Sequence, residues 1–363
     1  MIIAAWIIFI FTVIQLWVVL LNAIFRQPLP PCSIDFNPLV SILIPARNEE
    51  QNIGQLLQDI QQQEWNNFEV LVFNDQSTDN TAEIVDAFTK TDQRFQLFNS
   101  NGLPEGWLGK NYGCYQLAQK AKGSYFLFLD ADVRISGAII SGTITKAKKH
   151  KLGLLSIFPK QNMYTLGEYL TVPIMNFILL SLLPLVFVRV LPFSSMAAAN
   201  GQFMLFDAKT YRNNQPHQTF RDNKVEDISI AQSFKKNGIR IACLSGNLSI
   251  SCRMYSSFND AINGFSKNVI MFFGNSGLLA VLFWLITTLG FIPILIGLPT
   301  TLILIYLLML VTIRILISVV SHQSPLKNLL LAIPQQVVLG IFIIKAFLNK
   351  SKKAYQWKGR TIS

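Results

Sequence analysis

Polar residues gather at four places in a largely apolar chain: Pro45-Ala46-Arg47-Asn48-Glu49-Glu50, Asn74-Asp75-Gln76-Ser77-Thr78-Asp79, Gly106-Trp107-Leu108-Gly109-Lys110 and Asp130-Ala131-Asp132. The last has the most specific chemistry. On an extended chain an i, i+2 pair sends both carboxylates to one side. One of them can then ligate a divalent cation while the other holds a ribose or a second metal position. Oxygen ligands suit Mg²⁺ or Mn²⁺ bound jointly with a diphosphate. The plain alternative is a solvated turn. Five apolar residues, 125–129, run straight into the pair, and burial there is costly without a cation. Asp75 can accept hydrogen bonds from a nucleobase or ribose, or cap a helix that starts near Thr78. Lys110 can meet phosphate oxygens or stay solvated. Glu226-Asp227 opens a helical pattern, where two acids complement the helix dipole; a general base taking a proton from an acceptor hydroxyl is the other reading.

Other chemistries find little support. Cys32, Cys114, Cys243 and Cys252 form no C-x-x-C pair, and His150, His217 and His322 are scattered. Neither a zinc site nor a disulfide framework is expected, and the thiols read as reduced. No serine, cysteine or histidine pairing reads as a nucleophile with its base, so covalent catalysis is not expected.

The elements that must position these residues form an alternating pattern. Residues 39–45, 68–75, 95–100 and 124–133 are short apolar runs ending in turns, as buried parallel strands do. Between them, 52–63 places Ile53, Leu56, Leu57 and Ile60 at helical spacing. Residues 78–88 make a second helix that Ser77 or Thr78 can cap, and 111–122 a third. The expected fold class is therefore α/β, a mostly parallel sheet flanked by helices that binds ligands beyond the carboxyl ends of its strands.

Membrane segments surround this domain. Residues 1–25 carry no charge and are long enough to span as an uncleaved anchor. Residues 277–313 are also uncharged and, with a break at 297–299, suit a hairpin over 277–320 with Arg314 snorkelling at its end. The stretch 169–193 is interrupted by Pro173, Pro184 and Pro192 and reads as interfacial. Residues 325–363 read as an interfacial or re-entrant segment with a basic tail. Of the net charge of +11, residues 261–363 contribute nine basic residues and no acid. That excess sits in the hydrophobic third, which excludes a nucleic-acid footprint and favours anionic lipid.

The ordered set P-A-R-N-E-E, N-D-Q-S-T-D-N-T, D-A-D and E-D resembles the family 2 inverting glycosyltransferases of GT-A fold over roughly residues 38–240. GWLGKNYGCYQLA (106–118), RMYSSFNDAINGFSKN (253–268) and QWKGR (356–360) narrow the resemblance to bacterial enzymes that glycosylate carotenoid acids, and to hopanoid-associated ones. The resemblance implies that Pro45, Arg47, Glu49, Trp107 and Lys110 line the nucleotide-sugar site, with Asp75 on uracil or ribose and Asp130 on the nucleotide. It makes Asp132 the ligand of Mg²⁺ or Mn²⁺ and Asp227, next to Glu226, the base. Arg253, Trp357 and Arg360 fall near the diphosphate or the acceptor. Processive members carry Gln-x-x-Arg-Trp; here Trp357 precedes Arg360, which speaks against a polymer-extruding synthase.

The implied reaction moves a sugar from a nucleotide-diphospho-sugar, UDP-linked by expectation, to a lipid-soluble acceptor such as a carotenoid or another isoprenoid. Transfer to a polyprenyl phosphate and a non-catalytic nucleotide-sugar-binding accessory are the alternatives. The chain is expected to be multi-pass in the plasma membrane, with its GT-A domain (36–268) in the cytoplasm.

Overall fold

The computed structural model describes residues 1–31, 37–352, 355–357 and 360–362, with side chains described as far as residue 349. Cys32, Asp35, Lys353, Lys358 and Ser363 lie outside the described residues. The chain divides into two compact units, one of residues 27–160 and 187–252, the other of residues 1–26, 161–186 and 253–363.

The first unit is built on ten strands: β1 (Val40–Ala46), β2 (Phe68–Asn74), β3 (Phe95–Asn99), β4 (Tyr125–Leu129), β5 (Val133–Ile135), β6 (Leu154–Phe158), β7 (Lys160–Gln161, at its boundary), β8 (Phe203–Asp207), β9 (Ile241–Ser245) and β10 (Ile250–Cys252). Seven form one sheet in the order β3-β2-β1-β4-β8-β6-β9. The neighbours β1–β2, β1–β4, β2–β3 and β6–β9 are parallel, and β8 runs antiparallel between β4 and β6. The α/β expectation holds. In β2 every residue is buried, and in β1 all but one, because helices cover both faces of such a sheet. Ile53, Leu56, Leu57 and Ile60 of helix Ile53–Gln61 are fully buried in its core.

One polar knot interrupts that core. Ser41 Oγ donates to Glu69 Oε1 at 2.6 Å, and the amides of Lys122 and Gly123 donate to Glu69 Oε1 and Ser41 Oγ. A Cβ on Gly123 would stand 2.7 Å from Ser41 N, so the turn into β4 requires glycine at this approach. His217 is also a core residue: its Nδ1 lies 2.8 Å from the Tyr211 hydroxyl, and burial pushes its pKa down to about 3.

Three local expectations change. The second crossover helix is Thr81–Thr91, with Asn80 at its N-cap, and neither Ser77 nor Thr78 caps it. Those two residues are taken by the loop after β1: the Asn48 amide donates to Ser77 Oγ, and the Thr78 amide to Asn48 Oδ1. The third helix begins at Gly109 rather than 111. Asp130-Ala131-Asp132 is a turn and not extended chain, because the Val133 amide folds back to the Asp130 carbonyl at 3.2 Å.

The second unit contains three helices long and apolar enough to cross a membrane: Ile2–Ile24, Thr300–Val320 and Ala332–Asn349. The first carries an inverted pattern. Thr12, Gln15 and Asn22 are buried, whereas Ile3, Ile7, Ile10, Ile14 and Trp17 are exposed, as suits a helix whose outer solvent is hydrocarbon. Close packing uses small residues, with Gly297 against Ala5 and Gly290 against Ile8. Residues 277–297 break at Gly290 into Gly277–Leu289 and Phe291–Gly297, since Pro293 cannot donate to the carbonyl of Leu289. The expected break after Gly297 is also present.

The proline-interrupted stretch forms the short helices Leu166–Thr171, Pro173–Leu182 and Leu185–Val190. Asn22 satisfies the gap between the last two: its Nδ2 donates to the carbonyls of Leu180 and Leu183, and its Oδ1 accepts from the Leu185 amide. Arg314 does not snorkel. It turns inward, with Nη1 donating to Gln335 Oε1 at 2.9 Å and its guanidinium 4.0 Å from the Phe177 ring.

Candidate active site

The parallel strands β1 to β4 bring their carboxyl ends to one edge of the sheet, and the motifs follow at that edge. The first two loops are bound to each other. Arg47 donates to the Asp75 carbonyl at 2.6 Å, Glu49 N to Thr81 Oγ1, Glu50 N to Asp79 Oδ2 and Asn80 N to Glu50 Oε2. Asn48 and Gln76 take left-handed backbone, which lets these turns interlock. Asp75 is buried beside them, its amide donating to the Ala46 carbonyl. Pro45 packs against Gly113, where a Cβ would stand 3.2 Å away.

Lys110 is the hub of the edge. It opens helix Gly109–Lys120, and its ammonium lies 2.8 and 2.9 Å from the two Asp130 oxygens, 3.6 Å from Glu226 Oε1 and 3.3 Å from the Gly201 carbonyl. Burial alone would lower its pKa, but the charges of Asp130 and Glu226 outweigh burial and hold the ammonium above its ordinary range. Burial pushes Glu226 up to about 7 in spite of Lys110. Asp227, the next residue, is also raised by burial, and the Ile228 and Gly201 amides offset part of that rise. Those amides fix the carboxylate, donating to Oδ1 at 2.7 Å and to Oδ2 at 2.9 Å.

Asp132 shares the turn of Asp130. Burial, with the charges of Asp130 and Glu49, pushes it up to about 7. The Cys252 thiol donates to it and in turn accepts from Gln202 Nε2 at 2.8 Å. Its Oδ1 is buried with no partner. Among the described residues no three His, Cys, Asp or Glu side chains converge to ligate an ion. An orphaned carboxylate oxygen under like-charge repulsion still fits a divalent cation, provided a ligand such as a diphosphate supplies further oxygens.

Trp107 packs on Tyr115 and Tyr112, with ring centroids 5.1 and 5.5 Å apart. Asn111 is fully buried, its Nδ2 donating to the carbonyls of Phe220 and Asn223, and so anchors the loop that leads to Glu226. The sequence gives no local sign of this role, nor of those of Gly201, Gln202 and Cys252, because their partners are distant in sequence.

Three candidates belong to the other unit. Arg253 belongs to the other unit, where it pairs with the buried Glu168 at 2.8 Å and stacks over Tyr164. Trp357 and Arg360 face each other across a two-stranded ribbon; their side chains lie outside the described part.

The sheet order and the acidic edge define a GT-A nucleotide-sugar fold. The chain matches the family model Glycosyl transferase family 2 over residues 41–180. It is 28% identical over 239 residues to a 4,4'-diaponeurosporenoate glycosyltransferase of Staphylococcus haemolyticus, covering 63% of this chain and 60% of that one. A namesake from Staphylococcus aureus is 26% identical over 255 residues, covering 67% and 64%. The chain thus spans less than two thirds of the length of these curated relatives. Among solved structures, a mannosyltransferase from Pyrobaculum calidifontis in complex with GDP-Man and Mn²⁺ shares the fold, with a TM-score of 0.57, 16% identity, and 96% and 99% of the two chains covered.

Proposed function

We propose that the chain is a membrane glycosyltransferase. It moves a sugar from a nucleotide-diphospho-sugar, UDP-linked in this reading, to a lipid-soluble acceptor such as a carotenoid acid, with inversion. The carrying observation is the Lys110 hub that joins Asp130 and Glu226 beside a fixed Asp227. The names of the staphylococcal relatives support the acceptor class. The three apolar helices support a multi-pass membrane enzyme, and nucleotide sugars place its sheet unit in the cytoplasm.

In this mechanism Asp130 and Asp75 hold the nucleotide, and Lys110 offers positive charge to the phosphates. Asp132 would hold Mg²⁺ or Mn²⁺, which supplies Lewis-acid stabilisation of the departing diphosphate. Asp227 takes the proton of an acceptor hydroxyl as it attacks the anomeric carbon from the opposite face. A carboxylate acceptor is already ionised near neutral pH and depends little on that base.

Membranes incubated with labelled UDP-sugars should therefore yield a labelled extractable lipid. Asp227→Asn should lower transfer to a hydroxyl acceptor by roughly a hundredfold to ten-thousandfold and transfer to a carboxylate acceptor far less. Equal losses on both would contradict the role given to Asp227, and no labelled lipid from any sugar would overturn the function.

Gly201 supplies a further check. A Cβ there would stand 3.0 Å from Lys110 Nζ and 3.4 Å from Glu226 Oε1. Gly201→Ala should displace the ammonium and cost roughly tenfold to a hundredfold in kcat/KM, with a melting temperature lowered less than by Lys110→Met. Full activity would show that the hub tolerates displacement.

A further inference from the structure

The helical unit holds a cation for which its own side chains provide no counter-ion. Arg314 lies in helix Thr300–Val320, and among the described residues no carboxylate pairs with it; its polar side-chain contact is Gln335 Oε1. The unit has only two side-chain carboxylates, Glu168 and Asp260. Arg253 takes Glu168, and Asp260 accepts from Ser257 in a helix cap.

A second observation points the same way. Gln335 Nε2 donates to the Tyr169 carbonyl and to Asn328 Oδ1, and Asn328 Nδ2 donates to Ser318 Oγ and Gln323 Oε1. Each amide oxygen in this chain already accepts one hydrogen bond. The end of the chain, Gln323 Nε2, is a buried donor with no acceptor, in a residue only 8% exposed. A guanidinium has five N–H groups, and an unpaired charge among apolar helices is costly. Arg314 is short of an acceptor with negative charge, and, being only half-buried, it leaves a route for one to enter.

We infer that Arg314, held by Gln335, is the anchor of a binding site for the oxyanion of a membrane-dissolved ligand, a carboxylate or phosphate head on an apolar tail. Phe177, stacked on the guanidinium, fixes its plane so that the remaining N–H groups can grip two oxygens at once. A carboxylate ligand would make this the place where an acid acceptor is recognised, a point that rests on the proposed function; the oxyanion site does not.

The test is a binding measurement without any sugar donor. The full chain in neutral phosphatidylcholine nanodiscs is titrated with all-trans-retinoic acid and with retinol, following quenching of tryptophan fluorescence. A second arm compares phosphatidic acid with diacylglycerol as competitors of the bound polyene. The parent should prefer the anionic member of at least one pair by about tenfold or more. Preference in the first arm identifies a carboxylate ligand, and in the second a phosphate. Arg314→Gln should erase the preference, and Arg314→Lys should keep part of it. If Arg314→Gln does not accumulate folded, the parent and Arg314→Lys decide. Equal affinity for both members of both pairs in the parent, or a preference that survives Arg314→Gln, overturns the site. Failure of sugar transfer leaves this result untouched.

Discussion

Asp132→Asn should lower sugar transfer by roughly a hundredfold or more without weakening the fold. The substitution keeps the shape of the side chain and removes the charge that Asp130 and Glu49 repel, so thermal unfolding in detergent should begin no earlier than in the parent. Activity should behave in the opposite way. The orphaned Oδ1 of Asp132 is the best-placed oxygen for a divalent cation, and an amide is a poor substitute for a carboxylate ligand. Loss of the charge that offsets a leaving diphosphate should cost roughly a hundredfold to a thousandfold in kcat. Raising Mn²⁺ should recover part of the loss if the site is weakened and not erased. Unchanged turnover in a purified preparation would remove Asp132 from the reaction.

Lys110→Met should lose activity and damage stability as well. Breaking a buried ion pair costs several kcal/mol. Here about a quarter of each of the Lys110 and Asp130 side chains is exposed, so about 2 kcal/mol is the expected loss once solvent screening is included. The loss should depend on pH. Glu226, raised by burial to about 7, keeps a proton in the folded state that the unfolded chain releases, so its contribution falls as pH rises from the ordinary carboxylate range to about 7. Removing Lys110 drives the folded value higher and extends that decline. The variant should melt below the parent at about pH 5 and further below it at about pH 8. An equal loss at both would leave Glu226 out of the contribution of Lys110.

Much of the sheet unit is legible in sequence because its signals are local. The runs ending at Ala46, Asn74 and Leu129 are apolar on both faces and stop at turn residues, so their boundaries fall within a few residues of those expected. The helix from Glu226 begins where its acids meet the dipole. The unread features are contacts between distant positions. Ser77 and Thr78 do not cap a helix because Asn48, some thirty residues earlier, takes them. Lys110 acquires its role from Asp130 and Glu226, and Asn111 from a loop more than a hundred residues away. Asp130 and Asp132 looked extended because their hydrophobic lead-in was; one backbone hydrogen bond from Val133 makes them a turn. Arg314 read as a boundary residue because a lone arginine beside an apolar run usually is, and only the neighbouring helices reveal Gln335 and Phe177.

The antiparallel strand β8 has a consequence for synthesis. It is inserted between β4 and β6, yet it lies at residues 203–207, after the apolar excursion of 161–186, while both of its neighbours lie before it. A ribosome therefore releases β4 and β6 with their facing edges open, and must deliver the apolar helices of residues 161–186 before the strand that joins them. Until then the nascent sheet exposes two unpaired edges, the kind of surface that invites association with other chains. The interval between residues 160 and 203 is thus the vulnerable period in the biogenesis of this protein, and delayed docking of β8 would leave an aggregation-prone half-sheet.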